Sequence, residues 1–187
     1  VVEELQSSPV IAPGLVPAPP ATGYQPLVLV VEDNVDMNRF IADTLRAHYR
    51  VACAFNGQQG LEQALEIAPD LIISDVMMPV MNGDQMVSEL RQWPKLADVP
   101  IVMLTSKTDD DLCVKLLKMG IQHYLNKPFT VDGLLARVEK LLTERQRIRE
   151  QLREGEARFQ ATFEQAAVGI AIVSPEGRWL RVNHKLC

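Results

Sequence analysis

The sequence predicts an α/β protein: a doubly wound five-stranded parallel sheet followed by an extended C-terminal helix. Two observations carry this. Short apolar runs at Leu27–Val31, Leu71–Ser74, Ile101–Leu104 and Gln122–Leu125 alternate with helix-like stretches, as in a parallel sheet with crossover helices. These runs lead into Glu32-Asp33, Asp75, Thr105 and Lys127. In a parallel sheet all of them leave at the carboxyl edge, where open α/β folds bind ligands. Three acids, a hydroxyl and a lysine on one rim suit a divalent metal and a phosphoryl group.

The elements follow in order. Leu27–Val31 reads as a buried strand, Val35–Ala47 as a helix and Val51–Ala54 as a second strand. A helix over Gly57–Ala68 ends before Pro69-Asp70, and Leu71–Ser74 is the third strand. Met-Pro and Asn-Gly pairs then mark a loop before a helix over Gly83–Arg91. Pro100–Leu104 is the fourth strand, Asp109–Met119 a helix closed by Gly120, and Gln122–Leu125 the fifth strand. The last helix starts at Thr130, a good N-cap with Asp132 in the first turn. This alternation suits the flavodoxin-like sheet order 2-1-3-4-5.

The last helix outruns the domain. Leu134, Val138, Leu141, Arg145, Ile148, Leu152, Gly155 and Phe159 recur at alternating steps of four and three, a heptad seam flawed at Arg145 and Gly155. From Thr143 onward no domain surface is expected for it to cover. A parallel two-stranded coiled coil is therefore expected, making the protein a homodimer through its C-terminal helix. Four regions result: a Pro-rich, disordered linker over residues 1–26, a compact domain over 27–142, a coiled-coil helix over 143–160 and the start of a further domain over 161–187. Within the last, Val168–Val173 and Arg178–Val182 read as strands around a Ser174-Pro175-Glu176-Gly177 turn.

Charge and composition narrow the partners. A formal net charge of -5 argues against nucleic acid as a direct ligand. No apolar stretch approaches the ~20 residues of a spanning helix, so no membrane contact is expected and a cytoplasmic location is. Cys53, Cys113 and Cys187 form neither a paired framework nor a C-x-x-C metal motif and read as reduced thiols.

Four motifs carry a family resemblance. Val28-Leu-Val-Val-Glu-Asp-Asn34 ends the first strand in an acidic pair, and Asp75-Val-Met-Met-Pro79-Val-Met-Asn-Gly83 follows the third. Leu104-Thr105-Ser106 and Tyr124-Leu-Asn-Lys127-Pro128-Phe129 close the fourth and fifth. Together they resemble the receiver domain of two-component signalling. The resemblance implies that Asp75 accepts a phosphoryl group from a histidine kinase or phosphotransfer domain. It implies Mg²⁺ or Mn²⁺ held by Asp33, Asp75 and the Met77 backbone carbonyl, with Glu32 acting through water. Lys127 and Thr105 would stabilise the transferred group, small Ser106 would leave it room, and Tyr124 would switch with Thr105. The Lys127–Pro128 bond is expected to be cis. Arg158-Phe159 and Phe163-Glu-Gln-Ala-Ala-Val-Gly-Ile170 resemble the start of a PAS sensor domain, in which Asn183 also fits.

Adjacent strands lie about 4.8 Å apart, so Asp33 and Asp75 should come close, and hard oxygen ligands favour Mg²⁺ or Mn²⁺. The expected parent is a hybrid sensor histidine kinase, with a response regulator carrying PAS and a cyclic-dinucleotide output as the alternative. A stand-alone aspartyl-phosphate phosphohydrolase similar to the haloacid dehalogenases is a third reading. It would need Asp-x-Asp after the first strand, where this chain has Glu32-Asp33-Asn34-Val35-Asp36. Neither glycine-rich nucleotide loop is present, so no ATP-dependent chemistry is expected here.

Overall fold

The computed structural model describes residues 24–106, 121 and 123–186. The segment before Tyr24, the helix expected over Asp109–Met119, Gln122 and Cys187 lie outside the described residues. Strands β1 (Leu27–Val31), β2 (Arg50–Ala54), β3 (Leu71–Asp75), β4 (Ile101–Ser106) and β5 (His123–Lys127) form one sheet in the order β2-β1-β3-β4-β5. Every neighbouring pair is parallel. The expected flavodoxin-like order is therefore observed. Three strands outrun their apolar runs, because ladder pairing continues through Asp75↔Leu104, Thr105↔Asn126 and Ser106↔Lys127. The functional residues are thus held by the sheet itself, not by the loops that follow it.

Alternation of side chains along each strand makes two cores. Leu29, Val31, Ile72 and Met103 face helices α2 (Gly57–Ile67) and α3 (Gly83–Leu90), meeting Ala64, Met86, Val87 and Leu90. Val28, Val30, Ile73, Val102 and Leu104 face α1 (Val35–Arg46) and α4 (Val131–Gln165), meeting Ile41, Leu45, Leu134, Val138 and Leu141. Burial on both faces is why these strands read as unbroken apolar runs. Side-chain caps start the helices: Asn34 Oδ1 accepts from Met37 N, Asn56 Oδ1 from Gln59 N and Thr130 Oγ1 from Gly133 N.

The first seam residues of α4, Leu134, Val138 and Leu141, belong to the sheet core, within the expected compact domain. The helix differs from expectation in that domain surface continues beyond Thr143. Arg145 donates to the carbonyls of Pro69 and Asp70, and Arg149 Nη1 lies 2.9 Å from Asp70 Oδ1. Arg145 is therefore a contact with the floor of the sheet rather than a flaw in a seam. Asp70, 4% exposed, also accepts from Tyr24 Oη and from Leu27 N at 2.9 Å. One carboxylate so joins the chain entering β1, the start of β3 and the departing helix. Farther along, Ile148, Leu152 and Phe159 are exposed.

α4 runs unbroken to Gln165 and is followed by an antiparallel hairpin of β6 (Ala171–Val173) and β7 (Trp179–Val182). Buried Asn183 fastens the hairpin to the helix: Nδ2 donates to the carbonyls of Phe163 and Val168, and Oδ1 accepts from Ile170 N. These bonds occupy the backbone of Val168 and Ile170, which explains why β6 begins at Ala171 and not at Val168. The Arg181 guanidinium lies 5.9 and 5.6 Å from the ring centroids of Phe159 and Phe163. The expected turn is present, with Gly177 N donating to Ser174 O and Gly177 at φ 82°. Among the described residues no helix is long and apolar enough to cross a membrane.

Two stability outcomes follow from these contacts. Burial alone would raise the Asp70 carboxyl, but the Leu27 N–H, the Tyr24 hydroxyl and Arg149 outweigh it and hold it below its ordinary 3.8. A depressed carboxylate stabilises the fold above its unfolded value and loses that contribution as pH falls through the folded one. Urea denaturation of Asp70→Asn should show a loss of about 1–3 kcal/mol at pH 7. The gap to wild type should narrow below the ordinary value of 3.8. A gap that is the same at pH 3 and pH 7 would show that the charge is not what stabilises this junction.

The second outcome concerns Val80, which has φ 70° and is 84% exposed. A β-branched residue pays heavily in the left-handed region, whereas asparagine tolerates it. Val80→Asn should raise stability by about 1 kcal/mol, read as a higher urea midpoint with an unchanged slope. A lowered midpoint would mean that the Val80 side chain contributes more by contact than its backbone loses.

Candidate functional site

The acids meet at the carboxyl edge of β1 and β3, which are hydrogen-bonded neighbours. Carboxylate oxygens of Glu32, Asp33 and Asp75 all lie within 4.8 Å of one another. Lys127, carried in by β5, places Nζ 2.7 Å from Glu32 Oε2 and 3.0 Å from Asp75 Oδ2. Asp75 Oδ1 accepts from Val76 N at 2.8 Å. Glu32 is 1% exposed, Asp75 half-buried and Asp33 exposed. The set therefore grades from protein interior to solvent.

Electrostatics follow that gradient. Burial, reinforced by the Asp75 charge, raises the Glu32 carboxyl above its ordinary value despite Lys127. Burial alone would lower the Lys127 ammonium, but its bonds to Glu32 and Asp75 hold it above the ordinary lysine value. Three carboxylates against one ammonium leave an excess of negative charge. Oxygen donors of this kind fit a hard divalent cation. Beside them lies a cleft of about 430 Å³, lined by Glu32, Asn34, Asp36, Met37, Phe40 and Lys127.

Close packing fixes the position of Asp75. A Cβ on Gly83 would stand 2.1 Å from the Asp75 carbonyl oxygen and 2.9 Å from Ser74 Oγ. Helix α3 can therefore begin directly under β3 only with glycine here. Gly83 N donates to Val76 O at 2.9 Å, tying the start of the loop to its end. The Lys127–Pro128 bond is cis.

Of the residues expected at this rim, Glu32, Asp33, Asp75 and Lys127 come together, and Met77 sits at the loop surface, 70% exposed. Thr105 is 2% exposed, and its hydroxyl donates to Asn126 Oδ1 at 2.9 Å. Tyr124 pairs with Met103, one alternation below Thr105, and is 40% exposed.

Two supporting residues escaped sequence reasoning. Asn126, inside the fifth-strand motif but given no role there, accepts the Thr105 hydroxyl. Buried Asn38 donates from Nδ2 to the carbonyls of Glu32 and Ala54 at 3.0 and 2.8 Å, joining the ends of β1 and β2. A signal for Asn38 existed. It falls on the stripe of Ile41, Ala42 and Leu45, where a polar residue on the apolar face of a helix needs a specific partner.

Known proteins resemble this chain in sequence and fold. Hybrid signal transduction histidine kinase D of Dictyostelium discoideum is 50% identical over 64% of this chain and 8% of its own length. Sensor histidine kinase TmoS of Ectopseudomonas mendocina is 37% identical over 85% of this chain and 20% of its own. This chain thus spans a fifth or less of those relatives. The solved structure of chemotaxis response regulator CheY4 of Vibrio cholerae matches 63% of this chain and 99% of its own, with a TM-score of 0.60 and 33% identity. The response regulator receiver domain model matches residues 28–139, from the strand that ends in the acidic pair to the helix that follows Lys127. The chain therefore belongs to the receiver domain family of two-component signalling.

Proposed function

We propose that this receiver takes a phosphoryl group from a phosphohistidine onto Asp75, within a hybrid sensor histidine kinase. The observation that carries the reading is the Lys127 ammonium shared between Glu32 and Asp75 in a cluster of three acids. In the transfer, an Asp75 oxygen forms a bond to phosphorus while the bond from phosphorus to the imidazole nitrogen breaks; that nitrogen keeps the electron pair, and because the other ring nitrogen carries a proton, the group leaves as neutral imidazole. Asp33, Asp75 and the Met77 carbonyl would hold Mg²⁺ or Mn²⁺, with Glu32 acting through water. The cation supplies positive charge to the phosphoryl oxygens. Lys127 supplies a second positive charge, and the Thr105 hydroxyl a hydrogen bond. The donor is a histidine kinase or phosphotransfer domain. The identity to two histidine kinases supports the hybrid parent over a response regulator with a cyclic-dinucleotide output.

The signal leaves through α4. As Thr105 turns toward the phosphoryl group, Tyr124 on the same face of β5 moves into the space released. That remodels the sheet edge formed by the helix expected over 109–119, by β5 and by α4, and the exposed Ile148, Leu152 and Phe159 of α4 would pair with a second copy as a coiled coil over residues 143–160. Residues 161–187 then form the start of a PAS domain, with Asn183 fastening its first hairpin to the helix.

Incubation with acetyl phosphate and Mg²⁺ should add one phosphoryl group, mapped to Asp75 and lost in Asp75→Asn or in chelator. Lys127→Ala should slow labelling by on the order of a hundredfold. Undiminished labelling of Asp75→Asn would sink the assignment. For the helix, sedimentation should show a dimer that Ile148→Glu weakens. A wild-type protein that stays monomeric at high concentration, with or without the phosphoryl group, would refute the seam.

A further inference from the structure

Thr105 has one proton to donate, and in this structure Asn126 receives it. The two residues stand opposite each other in the β4–β5 ladder, with Thr105 Oγ1 donating to Asn126 Oδ1 at 2.9 Å. Thr105 is 2% exposed and Asn126 lies at the surface. Losing this bond therefore leaves an acceptor that water can satisfy, while the buried hydroxyl must find another partner. Successive residues of β5 point to opposite faces. Lys127 reaches Glu32 and Asp75, whereas Asn126 occupies the other face together with Tyr124.

We infer that Asn126 is a positioning residue that holds the Thr105 hydroxyl away from the acceptor site in the resting state. It thereby sets how strongly a phosphoryl group on Asp75 must pull to move Thr105. The inference rests on the reading of Asp75 as phosphoacceptor and of Thr105 as the hydroxyl that answers it. No bond is made or broken apart from the exchange of one hydrogen bond for another. A net hydrogen bond of ordinary strength corresponds to a bias of about two- to tenfold.

The test uses the full chain with Mg²⁺ and beryllium fluoride as the phosphoryl mimic, titrated while amide resonances are followed. Asn126→Ala should bind the mimic about two- to tenfold more tightly than wild type. The same substitution in a Thr105→Val background, where the hydroxyl is gone and the shape kept, should change nothing. A gain of equal size in both backgrounds would overturn the inference, since Asn126 would then act without Thr105. An unchanged affinity in the single variant would overturn it as well. Failure of the wild-type protein to bind the mimic at all would remove the phosphoacceptor reading, and this inference with it. A variant that binds normally but shows no gain removes the inference alone.

Discussion

Carboxylates crowded at the edge of a parallel sheet repel one another, and the rest of this structure is arranged around the Lys127 ammonium that offsets part of that repulsion. Glu32, Asp33 and Asp75 present oxygens within 4.8 Å of each other, and Nζ of Lys127 touches two of the three residues. Removing the lysine would leave Glu32, 1% exposed, as an unpaired charge. The remaining excess of negative charge, carried on hard oxygen donors, suits a divalent cation. Position matters as much as charge. Asn38 holds the end of β1, Gly83 lets α3 close under β3, and the β4–β5 ladder carries Lys127 inward.

The opposite edge of the sheet solves a different problem. A helix of 35 residues, from Val131 to Gln165, covers the sheet with its first turns and then leaves the domain. At the point of departure Asp70 collects Tyr24, the Leu27 amide and Arg149, while Arg145 binds the carbonyls beside it. Asp70 immediately precedes β3, and Asp75 ends it. The strand that carries the candidate acceptor is therefore also the strand on which the departing helix is braced. Asp75 and the contacts that brace the exit of α4 thus lie at the two ends of one five-residue strand.

The fold and most of the site were legible in the sequence because both are written locally. Two-sided burial turns each strand into an apolar run, and motif residues sit where those runs end, so strand order and rim membership could be read together. What escaped was decided through space. Arg145 looked like a flaw in a heptad because its partners, the carbonyls of Pro69 and Asp70, lie more than seventy residues away. Asn126 carried no role within its motif because only the ladder register brings it opposite Thr105. The start of β6 moved because Asn183 takes the backbone groups of Val168 and Ile170.

By itself the sequence determined the class of the protein, the order of its sheet and the identities of the acids, hydroxyl and lysine at its rim. These depend on periodicity and on residue type, which every short window displays. Tertiary structure alone decided which oxygen Lys127 holds, where the Thr105 proton goes and how far α4 stays bound to the domain. Those are choices among competing hydrogen-bond and ion-pair partners. They are settled by distance and burial once the sheet has brought remote segments side by side.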